Sequence, residues 1–329
     1  MKILAALDSF KGSLSAAEAC EIVREAIVRR QPGWSVSVLP MADGGEGTME
    51  AMVDARDGRV IRCDGITGPL PETRVAADFS WLPDSKTAVV EMARASGLPL
   101  IPPEKRDPRR TTTYGTGELI EAALRHGAER LLLTLGGSAT VDGGTGAARA
   151  LGWRFLDGEW EELPPGGGEL HRLVHIRPPP SVRMKRVKQC RFEALCDVDN
   201  PLCGPRGAAR VYGPQKGATP KMVILLEEGL KRLGEVVATE FGRDVAAIPG
   251  VGAAGGFGAG AVAFFDAGLV SGVDAVADVV GLDAALQHVD WVITGEGRLD
   301  SQSLQGKVVC GVRNRARKAH VHTAVLAGR

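Results

Sequence analysis

The stretch "KILAALDSFKGSLSAAEACEIVREAIVRR" (residues 2–30) decides the fold, because an apolar run leads through a polar loop into an amphipathic segment. The run "KILAALD" is typical of a β-strand, and the later spacing of apolar residues predicts a helix. The predicted buried face of that helix consists of Ala19, Ile22, Val23, Ala26 and Ile27. Ser15 and Glu18 have the spacing of a capping box, which predicts that the helix begins there.

The first sixty residues repeat this order of elements. A second strand-like run, "WSVSVLPMA" (34–42), leads through "DGGEGT" (43–48) into the helical "MEAMVDA" (49–55). Such a β-loop-α repeat is typical of an open parallel sheet with helices on its faces. From about Val60 the pattern changes to strand-like pieces separated by Pro and Gly turns. This change predicts an inserted domain.

The end of the chain returns to the first pattern with "DWVITG", "KVVCGVRNRARKA" and "HTAVLAG". We therefore predict a discontinuous α/β domain over 1–59 and 286–329 and an inserted α/β domain over 60–285. A terminal strand with no following helix predicts that a C-terminal segment is missing. Within the insert we predict surface loops at 163–173 and 176–181, a solvated strand or its entry at 181–191, and close helix packing by "GVGAAGGFGAG" (250–260).

Composition narrows the class of protein. The chain has 329 residues, of which 44% are apolar, so it can bury a large core. Lys and Arg together number 40, and Asp and Glu together also number 40, so the formal net charge is zero. The chain therefore has no overall charge that would attract nucleic acid or a membrane surface. The sequence shows neither a signal peptide nor a membrane span. We expect a cytoplasmic protein whose partners are small molecules or copies of itself.

Five acidic loops each follow a predicted strand, and four of them carry at least two glycines. They are "DSFKGS" (8–13), "DGGEGT" (43–48), "GGSATVDGGTG" (136–146), "DVDNPLCGPRG" (197–207) and "GEGRLD" (295–300). In open α/β sheets such loops converge at the carboxyl ends of the strands, so we expect several to face a common site. Glycine allows close approach to an anion, and carboxylates hold Mg²⁺ or accept a proton. This mixture favours a phosphate and divalent-metal site.

Particular residues in these loops are candidates for that chemistry. Lys11 stands before the capped helix with Ser9, Gly12 and Ser13, where an anion would meet free N–H groups. The alternative is that the two serines only complete a turn. Asp43, with Gly44 and Gly45, is the first candidate for a general base, and Glu46 would orient it or bind metal. A tight turn explains the same glycines. Asp142 is comparable to Asp43, although a helix N-cap explains it equally well.

Familiar nucleotide and hydrolase motifs do not fit. "SQSLQGKV" (301–308) lacks the first Gly and the final Ser or Thr of a Walker loop, and "DSFKGS" replaces the G-x-G-x-x-G of a dinucleotide fold. "GGSAT" (136–140) lacks the G-x-S-x-G frame of a serine hydrolase.

Seven blocks in order along the chain resemble the bacterial glycerate kinase family of the first type. The blocks are "ALDSFKGSLSAAEA", "MADGGEGT", "TTTYGTGELI", "GGSATVDGGTGAARALG", "DVDNPLCGPRGAARVYGPQKGA", "PGVGAAGGFGAG" and "ITGEGRLDSQSLQGK". The resemblance implies ATP-dependent, Mg²⁺-assisted phosphorylation of D-glycerate, mostly to 2-phosphoglycerate, in organic-acid and glyoxylate metabolism. It also implies a flavodoxin-like domain with an inserted domain that resembles the restriction-endonuclease fold.

Phosphoryl transfer needs positioned charges, and the sequence offers candidates for each role. We predict that Arg298 or Lys216 holds the glycerate carboxylate and that the triphosphate lies along "SFKGS". The predicted base is Asp43 or Asp199, and the predicted metal ligands are Asp142, Glu296 and Asp300. The alternatives are a kinase for another small hydroxy acid and a truncated form that binds ligands without turnover.

Overall fold

The computed structural model describes residues 1–10, 12–45, 47–298 and 307–328. The chain forms two compact units. Unit 1 comprises Met1–Arg59 and Val270–Arg329, and unit 2 comprises Val60–Leu269.

The helices and strands follow in chain order. Unit 1 begins with β1 (Lys2–Ala5), α1 (Ala16–Arg30), β2 (Ser35–Val38) and α2 (Thr48–Ala55). The sheet and helices of unit 2 are β3 (Arg59–Thr67), β4 (Arg74–Leu82), β5 (Thr87–Glu91), α3 (Ala93–Ser96), α4 (Tyr114–His126), β6 (Arg130–Thr134), α5 (Thr145–Ala150), β7 (Arg154–Leu156), β8 (His175–Arg177), α6 (Ser181–Lys188), β9 (Arg191–Leu195), α7 (Ala208–Tyr212), α8 (Pro220–Phe241), α9 (Ala253–Phe265) and β10 (Gly268–Val270). The chain returns to unit 1 with α10 (Gly272–Val280), α11 (Leu282–Leu286), β11 (Trp291–Glu296), α12 (Val308–Lys318) and β12 (His322–Ala327).

The sheet of unit 1 has the strand order β12-β11-β1-β2, and every neighbouring pair is parallel. On one side of β1, Ile3 pairs with Val36, and on the other side it pairs with Trp291. β1 is therefore an inner strand, and its apolar run "ILA" is buried as inner parallel strands require.

Helix α1 begins as predicted, with Ser15 as N-cap and a complete capping box with Glu18. Its buried residues are Ala19 and Cys20, which join the core formed by the end of β1. The predicted face was wrong in part: Ile22, which is 51% exposed, and Ala26 are both exposed, and the helix turns Cys20 toward the sheet instead.

The sheet of unit 2 has the order β10-β9-β6-β5-β4-β3. Strands β5, β6 and β9 run parallel, whereas β4 pairs antiparallel with β5. Leu131, Leu132 and Leu133 in β6 are all fully buried, since both faces of this inner strand are covered. A mixed α/β fold with parallel sheets is thus confirmed.

Two predictions for unit 2 are corrected. Residues 181–188 form helix α6 and not a solvated strand, because Lys and Arg favour helix and only Val187 of α6 is buried. The helix leads into β9, so the segment is the entry to a strand. The loop 163–173 does not lie wholly at the surface, because Gly166 and Gly167 are buried. A Cβ on Gly166 would lie 2.3 Å from the Arg109 carbonyl oxygen, and a Cβ on Gly167 would lie 2.1 Å from the Val141 carbonyl oxygen.

The chain re-enters unit 1 at Val270, ahead of the boundary expected at 286. Helix α10 packs against α2 and α12, and Arg56 Nε donates to the Val279 carbonyl. Among the described residues, no helix combines the length and apolarity needed to cross a membrane.

Helix α9 confirms the close packing predicted for the glycine-rich segment. A Cβ on Gly260 would lie 2.3 Å from the Gly143 carbonyl oxygen, so only glycine allows this approach. Gly268, in β10 of the same unit, has no atom within 4 Å of such a Cβ.

We expect Gly260→Ala to lower the free energy of unfolding by about 1–3 kcal/mol, the usual cost of overpacking. Gly268→Ala, the matched control, should change it by less than about 0.5 kcal/mol. Urea unfolding followed by circular dichroism measures both. Equal midpoints for the two variants would contradict the packing described for Gly260.

Candidate active site

Three acidic loops lie at one edge of the unit 1 sheet. Asp8 follows β1, Asp43 follows β2, and Glu296 ends β11, so all three stand at the carboxyl ends of adjacent parallel strands. The Asp8 amide donates to the Gly295 carbonyl over 2.9 Å. The strand order reverses between β1 and β11, which is where open α/β sheets bind ligands.

Glu296 has an unusual environment in this loop cluster. It is 6% exposed, and its Oε2 lies 3.6 Å from Lys307 Nζ. Its Oε1 is buried and, within the described ranges, has no hydrogen-bond partner. A buried carboxylate oxygen without a partner is costly, so the arrangement favours a ligand at this atom.

The loop after β2 is a tight turn built around Asp43. Asp43 Oδ1 accepts a hydrogen bond from the Gly45 amide over 3.0 Å, and a Cβ on Gly45 would lie 2.9 Å from the same oxygen. Gly44 has φ +85° and Gly47 has φ +88°, backbone angles that residues other than glycine rarely adopt. The glycines therefore allow the chain to fold back over the carboxylate.

The loop after β1 is also a turn. Ser9 N donates to Asp8 Oδ1 over 2.7 Å, Ser13 N donates to the Phe10 carbonyl over 2.8 Å, and Gly12 has φ +77°. These bonds agree with the alternative that this segment completes a turn. The turn is held by the amides of Ser9 and Ser13 and does not use their hydroxyls.

The N-terminus of α1 already contains a carboxylate. Glu18 accepts hydrogen bonds from the backbone and side chain of Ser15, and both lower the pKa of Glu18. An anion bound before α1 would meet this negative charge, so its donors would have to come from the preceding loop.

In unit 2, the Asp142 carboxylate is fully buried and accepts four hydrogen bonds. Oδ2 accepts from Thr113 N at 2.8 Å, Thr113 Oγ1 at 2.9 Å and Gly146 N at 3.2 Å, and Oδ1 accepts from Gly144 N at 3.1 Å. Burial raises the pKa of Asp142, whereas these donors oppose the shift. Thr113 and Gly144 are the N-cap residues of α4 and α5, so Asp142 accepts hydrogen bonds at the start of both helices. This agrees with the alternative prediction that Asp142 is a helix-capping residue.

Lys216 is buried in the same unit, with 2% exposure. Its Nζ donates to Ser138 Oγ and to the Thr140 carbonyl, both at 2.7 Å. Burial lowers the pKa of Lys216 to about 7, and the Asp142 charge opposes the shift. Lys216 thus faces the protein interior, where Ser138 and Thr140 accept its hydrogen bonds.

Two other predicted residues are at the surface. The Asp199 side chain is 72% exposed and forms an ion pair with Arg206, whose hydrogen bond lowers the pKa of Asp199. Arg298 is exposed just after β11. Lys11, Glu46 and Asp300 lie outside the described residues.

The structure therefore divides the predicted site residues between two sheets. Asp43, its glycines, Ser9, Glu296 and Arg298 belong to the carboxyl edge of the unit 1 sheet, whereas Asp142, Asp199 and Lys216 belong to unit 2. In the part of the chain that is described, no three His, Cys, Asp or Glu side chains come together as a metal site.

Sequence reasoning gave no role to Asp8 or Ser138. Asp8 is 6% exposed and lies in the loop after β1, as Asp43 lies in the loop after β2, so strand ends alone could have identified it. Ser138 could not be found in this way, because its importance depends on Lys216, far away in the sequence.

Comparison with known proteins identifies the family of this chain. The Glycerate kinase family profile matches residues 3–329. The chain is 47% identical over 328 residues to the glycerate kinase of Bacillus subtilis (strain 168), covering 100% of this chain and 85% of that protein. It is 46% identical over 328 residues to the glycerate 2-kinase of Escherichia coli (strain K12), with the same coverage.

A solved structure also matches. The chain superimposes with a TM-score of 0.92 and 45% identity on a crystal structure from Salmonella typhimurium LT2 assigned as glycerate kinase 2, covering 99% of this chain and 86% of that one. With a family match over nearly the whole chain and relatives at such identity, the chain belongs to the glycerate kinase family.

Proposed function

We propose that this chain phosphorylates D-glycerate with ATP and gives 2-phosphoglycerate. The names of its relatives support the reaction, since they include a glycerate 2-kinase. The observation in the structure that carries the proposal is the buried Oε1 of Glu296, which has no hydrogen-bond partner among the described residues and lies where the strand order of unit 1 reverses. Phosphoryl transfer needs fixed charges around the transferred group, and this edge of the sheet supplies them.

The same observation tests whether Mg²⁺ fits. Mg²⁺ binds through one or two carboxylates and completes its shell with substrate phosphates and water. Glu296 offers a buried oxygen of this kind, and Asp8 lies in the loop after the neighbouring strand β1. We assign Mg²⁺ to Glu296, with Asp300 as a further predicted ligand, and leave Asp142 as a capping residue. The ion would neutralise phosphate charge when bound.

Asp43 is the proposed base for the substrate hydroxyl. Its Oδ1 holds the turn through Gly45 and fixes the carboxylate, while Oδ2 accepts no hydrogen bond from the described residues and is the proposed proton acceptor. Asp199 is a weaker candidate, because Arg206 lowers its pKa and thereby its affinity for a proton.

The proposed phosphate contacts are the glycine loops of unit 1. Gly44 and Gly45 lie in the loop after β2, and Ser9, Gly12 and Ser13 form the turn after β1. The Ser9 and Ser13 hydroxyls can therefore approach a phosphate without bulky side chains between them. Arg298 and Lys11 are the proposed cations for the anionic substrates.

We further propose that unit 1 is a flavodoxin-like domain. If its strands are numbered without the insert, their order β2-β1-β11-β12 becomes 2-1-3-4, which is the start of the flavodoxin-like order. The restriction-endonuclease likeness of unit 2, a cytoplasmic location and a role in glyoxylate metabolism stay predictions.

The test of the proposed function is ADP release by the purified chain with ATP, Mg²⁺ and D-glycerate. Phosphorus NMR of the product identifies the phosphorylated carbon. A panel of small hydroxy acids tests the nearest rival activity. If another hydroxy acid gives a kcat/KM higher than that of D-glycerate, the substrate assignment is wrong.

We expect Glu296→Gln to shift the Mg²⁺ dependence of turnover to at least about tenfold higher concentration, because an amide oxygen is a weaker ligand than a carboxylate. Glu25→Gln, on the exposed side of α1, removes a carboxylate of the same unit and serves as the control. Initial rates across a Mg²⁺ series measure the shift. An identical Mg²⁺ curve for Glu296→Gln and wild type would remove Glu296 from the metal site.

We expect Asp43→Asn to lower kcat about 10²- to 10⁴-fold, the usual contribution of a general base. Asn keeps the acceptor oxygen for the Gly45 amide, so the turn should survive. Steady-state kinetics at saturating ATP and D-glycerate, with Asp199→Asn assayed beside it, provide the measurement. If Asp199→Asn causes the larger loss, the base has been assigned to the wrong carboxylate.

A further inference from the structure

Thr294 is a buried polar residue of β11 to which the neighbouring strands offer no partner. Its side chain is 0% exposed, and among the described residues its Oγ1 has no hydrogen-bond partner. On one side, Thr294 pairs with Val325 of β12. On the other side, the register of β1 puts Ala6 next to Thr294. Neither neighbouring side chain can form a hydrogen bond, and a buried hydroxyl left unpaired is costly.

Thr294 and Glu296 share one face of β11. Side chains alternate along a strand, so these two residues point to the same side, and their Cα atoms are roughly 6.7 Å apart. Glu296 Oε1 is likewise buried and without a partner in the described ranges, whereas Oε2 lies 3.6 Å from Lys307 Nζ. Because the Glu296 side chain is long, its carboxylate can approach the Thr294 hydroxyl across this distance.

The face that carries these two side chains is the one away from α1. Ala5 packs against α1, so its neighbour Ala6 and the adjacent Thr294 point to the other face. The parallel pairing of the two chains continues to Asp8, whose amide bonds to β11 and which stands beside Glu296. Two carboxylates and one hydroxyl therefore occupy neighbouring positions at the carboxyl edge of the unit 1 sheet.

The chemistry of this set of groups suits a hard cation. All of them offer oxygen, the donor atom that Mg²⁺ prefers. A cation also suits oxygens that are buried from solvent, because Mg²⁺ approaches oxygen to roughly 2.1 Å, whereas a hydrogen-bonded water stays at roughly 2.8 Å. In P-loop enzymes, too, a hydroxyl and a carboxylate together hold Mg²⁺.

We propose that Thr294 Oγ1 is a ligand of the divalent cation that is assigned to Glu296. The inference rests on the proposed function, in which Mg²⁺ is assigned to that carboxylate, and it adds a neutral ligand within unit 1. A hydroxyl supplies an oxygen without a negative charge. The ion therefore keeps more of its positive charge for the phosphates of ATP than it would beside a further carboxylate.

The first test measures metal affinity without turnover. Mn²⁺ alone is the probe, and electron paramagnetic resonance of free Mn²⁺ gives the amount that the purified chain binds. Thr294→Val keeps the shape of the side chain but removes its oxygen, so it should weaken Mn²⁺ binding at least about tenfold. Thr294→Ser keeps the hydroxyl and should bind Mn²⁺ nearly as tightly as wild type.

Ser80→Ala is the matched control for this measurement. Ser80 of β4 is 0% exposed, and its hydroxyl also lacks a partner among the described residues, but it belongs to unit 2. This control should leave Mn²⁺ affinity unchanged. Wild-type affinity in Thr294→Val, an equal loss in Thr294→Ser, or a wild-type chain that binds no Mn²⁺ would each refute the proposal. If Thr294→Val does not fold, Thr294→Ala replaces it in the comparison with Thr294→Ser.

Thermal unfolding gives a second readout that separates a ligand from a structural hydroxyl. In EDTA, Thr294→Val should melt no lower than wild type, because the substitution removes an unpaired buried hydroxyl. Added Mg²⁺ should raise the melting temperature of wild type more than that of Thr294→Val, since a bound ion stabilises the folded state. If Thr294→Val melts lower in EDTA and Mg²⁺ raises both proteins equally, the hydroxyl is structural and the proposal fails.

Turnover separates this inference from the proposed function. If the chain does not release ADP with D-glycerate but its Mn²⁺ affinity depends on Thr294, the proposed reaction fails while the ligand assignment stands. If D-glycerate is phosphorylated and Thr294→Val binds Mn²⁺ like wild type, the reaction stands and the ligand assignment fails.

Discussion

The parallel pairing of β1 with β11 is the interaction on which unit 1 depends. It aligns Ile3 with Trp291 and Leu4 with Val292, residues from opposite ends of the chain. Leu4 and Val292 are 1% and 0% exposed, so the pairing also forms the centre of the core. The same pairing puts the carboxylates that end both strands at one sheet edge. Core and candidate site are therefore products of one long-range contact.

Much of the fold could be predicted from local patterns. The apolar run of β1, the capping box of α1 and the long amphipathic helix α8 are encoded within their own segments, and the structure has each of them. Helix α6 could not be recognised, because a basic segment with a single buried residue has no clear periodicity. The buried Gly166 is explained only by Arg109, which packs on it from a distant part of the chain.

The candidate site was predictable to a smaller extent. Strand ends indicated where Asp43 and Glu296 would lie, since topology alone fixes the carboxyl edge of a parallel sheet. The environment of a charge depends instead on tertiary contacts. Asp142 accepts four hydrogen bonds, Lys216 is buried and Asp199 is exposed, although all three are charged residues of glycine-rich sequence blocks. Residue type and spacing alone do not show which charged residue will be buried and which will be exposed.

The insertion of unit 2 between β2 and β11 has a consequence for how the protein folds. β1 and β11 can pair only when the chain between them, including all of Val60–Leu269, allows the two strands to approach each other. An unfolded segment of that length imposes a loop-closure entropy that slows such contacts, whereas a folded one holds its ends in place. Unit 2 has its own core and its own sheet, so it can fold without that pairing. We expect unit 2 to fold first, and damage to unit 2 to prevent unit 1 from folding as well.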